Sequence, residues 1–296
     1  MTSREPTRLL VGVAATFFAA SSLFAANEGA GSASALKAQY EKLRDRPEKS
    51  PFDIPLFIES EQTSNKLSGD IHSKLDRRFE AVKKELQNPR AWCEILILHP
   101  NVKGCAVDTG DASLTVRLGS AETPAKFTYR VAQGTDDYLD VRLGAAEGPF
   151  GTTDYNFRIE ATPLDAQSTL LHLGYSHGYG LRAKFALQTY FNTFGRGKVG
   201  FTVVDRKADG TPVYIDDLRG GIERNAMRYY LAIRSHLDAL SAPAGERLEK
   251  GLQSFHAQTE RYPLQLKEES GFLARKRGEL QRFRAEKGST SRTSGS

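Results

Sequence analysis

The sequence predicts an α+β fold in which a curved antiparallel sheet wraps one long helix near its C-terminal end. Three observations predict it. Apolar residues recur at every second position in successive runs from Leu114 to Val203, the period of strands with one buried face. No helical pattern separates most of these runs, so neighbours must pair antiparallel. Residues 222–240 then carry apolar side chains at 222, 226, 229, 230, 233, 237 and 240, a helical stripe able to cover the sheet's single apolar face.

A short charged helix is expected near Ala35–Arg46, and β-like segments at Leu56–Glu61 and Ser68–Leu75 open the body. Asp76 is placed to cap a helix carrying Phe79, Val82 and Leu86, and Asn88-Pro89 starts another with Trp92, Ile95 and Leu96. The strand runs are Leu114/Val116/Leu118, Phe127/Tyr129/Val131, Leu139/Val141/Leu143, Phe157/Ile159/Ala161 and Leu171/Leu173/Tyr175/His177/Tyr179. An aromatic-rich helix, Leu181–Phe194, leaves the sheet before Val199/Phe201/Val203 resumes it. Val213/Ile215 follow across an Asp209-Gly210 turn. Residues 244–287 read as charged helix interrupted by Pro263, and 288–296 as a Ser/Thr/Gly tail without structure. The expected division is 1–26, 27–53, 54–240, 241–287 and 288–296.

The 296 residues, 39% of them apolar, suffice for a core of their own. The net charge of +5 is concentrated in residues 270–296, leaving the body near neutral, which is not the footprint of a nucleic-acid-binding domain. Arg4 and Arg8 precede the apolar run Leu9–Phe24, and small Ala25 and Ala26 follow before polar Asn27. That layout is a secretory signal peptide, with an uncleaved N-terminal anchor as the alternative reading. A periplasmic or secreted protein is therefore expected. An even pair of cysteines, Cys93 and Cys105, suits a disulfide in such a compartment, the alternative being two buried thiols.

The segment Leu67-Ser-Gly-Asp-Ile-His-Ser-Lys-Leu-Asp76, followed by Phe79-Glu-Ala-Val82 and Trp92, resembles the opening of a START-like domain. The phrases at 92–105, 174–181, 197–204 and 223–233 resemble an exported bacterial family of such proteins with no assigned activity. The resemblance implies membership of the START-like (SRPBCC, polyketide cyclase-like) superfamily with its helix-grip fold, over roughly Pro55 to Leu240. It implies a hollow between sheet and helix for an apolar ligand, and no catalytic residue set.

Alternation along 171–179 turns Tyr175, His177 and Tyr179 to the same side as Leu171 and Leu173. With Phe201, and with Tyr229, Tyr230 and Ile233 of the long helix, they are the expected ligand-lining residues. His177 could orient a polar head, act as acid or base, or simply fill an aromatic core. Phe185, Tyr190, Phe191 and Phe194, flanked by Arg182, Lys184, Arg196 and Lys198, suit a gate with transient membrane contact; their alternative role is core filling. Glu223 and Arg224 are candidates for an ion pair at the cavity mouth. Gly174-Tyr-Ser176-His-Gly178 matches the nucleophile-elbow pattern of hydrolases, but a helix beginning near Leu181 starts too late to support a serine at 176. No metal or cofactor is expected, since the histidines are scattered and no ligand spacing occurs.

Three functions follow: a carrier of a lipid or other apolar ligand, an enzyme using the same cavity, and a structural or interaction protein with a filled core. An enclosed apolar void favours the first, convergent polar groups in an open pocket the second, and a packed interior the third.

Overall fold

The computed structural model describes residues 31–45, 52, 54–108, 110, 112–193 and 197–293. The expected signal segment, 1–26, lies outside them. Helix α1 (Ala33–Arg44) starts at Ser32, whose hydroxyl accepts from the Ala35 amide at 3.1 Å. Strands β1 (Leu56–Gln62) and β2 (Lys66–Leu75) form a hairpin, followed by α2 (Phe79–Leu86) and α3 (Pro89–Leu96). Asn88 caps α3 with Pro89 at its first position, as read from the sequence. Asp76 does not cap α2. Arg78 occupies that position, with no side-chain bond to the helix.

Six strands follow: β3 (Val102–Asp108), β4 (Ser113–Leu118), β5 (Thr123–Gly134), β6 (Leu139–Glu147), β7 (Thr152–Pro163) and β8 (Thr169–Tyr179). All eight make one antiparallel sheet, ordered β1-β2-β8-β7-β6-β5-β4-β3. Strand β3 had no period-2 signal, because a bulge between Val102 and Gly104 shifts its register and breaks the alternation. Helix α4 (Leu181–Asn192) leaves the sheet where expected. The next two strands, β9 (Val203–Arg206) and β10 (Pro212–Tyr214), do not rejoin it; they pair with each other across a turn where Gly210 has φ +84°.

Helix α5 (Asp217–Ala239) packs on β1, β2 and β8 and against α3. Gly69 permits the close approach: a Cβ there would lie 3.3 Å from that of Ala226. Two strands, two helices, six strands and a long helix make the helix-grip arrangement that the resemblance implied. Helices α6 (Arg247–Glu260), α7 (Pro263–Leu266) and α8 (Phe272–Thr293) follow, and α6 covers the other side of α5. This cover explains why α5 is buried nearly all round. Helix α8 also runs beyond residue 288, where the composition predicted an unstructured tail.

Cys93 on α3 and Cys105 on β3 are joined in a disulfide, with their Cα atoms 5.2 Å apart. The bridge closes a short loop holding the helical segment against the edge of the sheet. Replacing both cysteines with serine should lower stability by about 3 kcal/mol, the chain-entropy expectation for such a loop. Urea unfolding of the double variant checks this, and an unchanged midpoint would contradict it.

Candidate functional site

The inward face of β8 carries Leu171, Leu173, Tyr175, His177 and Tyr179, all buried in the main core. On β7 the same alternation turns Phe157 and Ile159 inward, and Tyr155 packs partly buried against that core. Register places Phe157 opposite Tyr175. The rings form a continuous array: Tyr155 stacks on His177 at 5.3 Å, Tyr175 lies 4.7 Å from Phe157, and Tyr229 from α5 lies 5.1 Å from Tyr175. At the far end His99, just beyond α3, stacks on Tyr229 at 4.2 Å.

The polar atoms of this array divide into satisfied and unsatisfied ones. Tyr155 shares a 2.7 Å hydrogen bond with Thr152, and Tyr179 donates to the Thr63 carbonyl at 2.7 Å. The hydroxyls of Tyr175 and Tyr229 have no hydrogen-bond partner among the described residues, yet they are not sealed off as fully buried orphans. Tyr229 is only partly buried although His99, Phe157 and Tyr175 surround it. Its ring also borders a small void between the sheet and α3.

Backbone contacts fix the two imidazoles in opposite tautomers. His177 Nδ1 lies 3.3 Å from the Gly178 carbonyl, which can only accept, so Nδ1 carries the proton and Nε2 is a bare acceptor. Burial lowers the pKa of His177, keeping it neutral. Burial raises the phenols of Tyr175 and Tyr229 well above the ordinary tyrosine value, so both stay protonated. The array thus offers neutral donors and acceptors and no fixed charge.

Below it the interior is packed. Trp92, Ile95, Leu96, Leu143, Phe157, Leu173, Tyr229 and Ile233 enclose a void of about 10 Å³, no larger than one water needs. Among the expected lining residues, Tyr175, His177 and Tyr229 come together, Ile233 borders the void, and Tyr179 closes the β8 end. The other two stand apart. Tyr230 is fully buried with its hydroxyl 2.8 Å from that of Ser73, and Phe201 packs between Phe52 and Tyr262. Helical rotation separates Tyr230 from Tyr229, a distinction the apolar stripe alone does not draw.

Helix α4 contacts β8, α5 and the 3-10 turn Pro149–Gly151. Its Leu181 and Phe185, one turn apart, are 88% and 73% exposed, so Phe185 does not fill the core. Tyr190 and Phe191 lie in α4, and Phe194 falls outside the described residues. Ser176 sits within β8, paired with Ser68 and Asn156, so no strand-to-helix elbow presents it. Glu223 and Arg224 are buried and do not stand at a mouth: Glu223 accepts from the Phe201 and Thr202 amides, and Arg224 donates to the Gln265 carbonyl at 2.6 Å. Among the described residues no three His, Cys, Asp or Glu side chains could hold a metal ion.

No protein-family model matches the chain, and no curated protein does. Solved structures do match. A conserved protein from Geobacillus kaustophilus aligns at 13% identity and a TM-score of 0.35, covering 59% of this chain and 95% of that one. A START superfamily protein from Mycobacterium smegmatis aligns at 17% and 0.29, covering 40% and 79%. Norcoclaurine synthase from Thalictrum flavum, solved with dopamine and hydroxybenzaldehyde, aligns at 13% and 0.32, covering 44% and 82%. Neither substrate nor activity passes from them to this chain.

Sequence reasoning passed over two members of the array. Tyr155 is two residues before Phe157, so extending that strand by one period finds it. His99 lies in an aperiodic turn before Pro100, where no pattern marks it.

Proposed function

We propose that this protein binds and sequesters an apolar molecule with a polar head, such as a lipid, on the inward face of its sheet. One observation carries the reading: the Tyr175 and Tyr229 hydroxyls and His177 Nε2 have no protein partner on an otherwise apolar inward face. Each hydrogen bond that a ligand completes with such a group contributes roughly 0.5–1.5 kcal/mol, so a matching polar head gains affinity there. The disulfide supports an exported protein working in the periplasm or outside the cell.

A ligand pocket commonly measures ~300 Å³ or more, so a void of about 10 Å³ requires part of the fold to move on uptake. Helix α4, with its exposed Leu181 and Phe185, is the candidate for that movement. The gate read from the sequence is Phe185, Tyr190, Phe191 and Phe194, with the cations Arg182, Lys184, Arg196 and Lys198 suited to an anionic membrane surface. The same small void favours a second reading, a structural or interaction protein with a filled core.

Native mass spectrometry of protein from its own host, followed by lipid extraction, separates the two. Retained lipid supports the carrier, and protein consistently empty supports the filled core. On the carrier reading, His177→Leu changes ligand retention while thermal unfolding barely shifts, whereas Ser176→Ala changes neither. Replacing exposed Leu181 and Phe185 with serine should slow uptake from anionic vesicles severalfold without loss of stability. Normal uptake by that double variant would exclude α4 as the gate.

A further inference from the structure

His99 is 1% exposed, and its two nitrogens have different fates. The Asn101 backbone amide donates to Nδ1 at 3.2 Å, so Nδ1 holds a lone pair and the proton of the neutral ring sits on Nε2. That Nε2–H is buried without an acceptor, and no other contact of the ring supplies one. Burial holds the imidazole neutral, and nearby Arg228, Lys276 and Lys103 act in the same direction. Those cations are themselves paired, Arg228 with Glu268 at 3.1 Å and Lys103 and Lys276 with Glu279 at 3.0 and 2.7 Å, so the unpaired buried donor itself is what favours an incoming acceptor. Its stacking partner, Tyr229, carries a second unpaired hydroxyl, and Tyr175, whose ring centroid lies 5.1 Å from that of Tyr229, carries a third.

We propose that His99 Nε2–H, with the Tyr229 and Tyr175 hydroxyls, is a subsite for an acceptor-only polar head, so that the preferred ligand is a long-chain carboxylate and not an amine or a plain hydrocarbon. This rests on the ligand-binding reading above and specifies the ligand's head group. The Nε2 atom is closed off in the present packing, so the Tyr229 ring must slide from its stack as the head enters. His177, whose bare Nε2 accepts, stands at the other end of the array. It would repel a carboxylate and leaves the His99 end as the one that suits it.

The test uses three probes of equal chain length, octadecanoic acid, octadecylamine and octadecane, each competing with a fluorescent fatty acid for the whole protein. The acid should bind at least tenfold more tightly than the amine. Tyr229→Phe, which keeps the ring stack, and His99→Phe should each weaken the acid about tenfold and leave octadecane unchanged. Imidazole NMR of the unaltered protein gives an arm that needs no variant: octadecanoic acid should shift the His99 Nε2–H resonance, and octadecane should not. Equal affinity for acid and amine, or an unmoved His99 signal with the acid bound, overturns the subsite while leaving the carrier standing. Failure of all three probes to bind overturns the carrier reading and the subsite with it.

Discussion

Glu223→Ala should cost about 2–5 kcal/mol of stability, since each backbone donor it leaves unpaired costs about 1–3 kcal/mol. Glu223 is fully buried near the start of α5 and gathers four donors. The Phe201 and Thr202 amides reach Oε2 at 2.6 and 2.9 Å, and the Thr202 and Ser60 hydroxyls reach Oε1, each at 2.6 Å. Arg219 braces the same point through the Ser60 carbonyl at 2.8 Å. One carboxylate thus ties the loop before β9 and strand β1 to the first turns of α5. Gly200 makes room for it, since a Cβ there would lie 2.5 Å from the Glu223 carboxylate. Removing that carboxylate strands two backbone donors at once. Urea unfolding gives the magnitude, and hydrogen exchange at the Phe201 and Thr202 amides should accelerate beyond what global destabilisation explains. A loss below about 1 kcal/mol, within the range of an exposed pair, would show that the clamp is not structural.

The second large effect is a fall in stability of about 3 kcal/mol between pH 6.5 and 9. It arises on the opposite face of the sheet. His172 Nδ1 lies 2.7 Å from Glu160 and Nε2 2.9 Å from Asp70, and its ring stacks on His72. Glu160 also accepts from the Tyr138 hydroxyl and pairs with Arg158 at 3.1 Å, while α1 buries Tyr138 under Leu36 and Tyr40. Burial opposes the imidazolium, but hydrogen bonds to the two carboxylates outweigh it and raise the pKa to about 9. Burial likewise opposes the Glu160 carboxylate, and bonds from His172 and Tyr138 with the Arg158 charge hold its pKa at about 2. The two shifts describe one contact from both ends.

The direction of the pH effect follows. Above pH 6.5 the unfolded chain has lost the His172 proton while the native state keeps it, so stability drains away as pH climbs through 9. On the acid side, the unfolded chain takes protons that buried neutral His99 and His177 resist, and stability falls below pH 6.5 as well. Glu160 adds to that acid loss as pH falls from the ordinary glutamate range toward 2. Stability should therefore peak near pH 6.5. In His172→Leu the alkaline limb should flatten, and a limb of unchanged slope would remove His172 as its source.

Local chemistry sufficed for much of this architecture. Period-2 alternation located five of the eight sheet strands because each buries one face, and Asn88-Pro89 located a helix start because its cap is made within two residues. The same alternation put His172 and His177 on opposite faces, where they are. Each of these depends on neighbours close along the chain. What the sequence could not determine depends on partners far along it. Asp76 was a plausible cap until the chain entered α2 two residues later. Strands β9 and β10 have the alternation of sheet strands but pair apart, since β2 already occupies the free edge of β8. Tyr229 and Tyr230 are adjacent and chemically alike, and only the packing of α5 decides that Ser73 satisfies one while the other stays unpaired. His99 has no pattern at all: its tautomer comes from the Asn101 amide and its isolation from the ring of Tyr229, a residue 130 positions away in the chain. Hydrogen-bond satisfaction is a property of three-dimensional surroundings, and it is the quantity on which the candidate site rests.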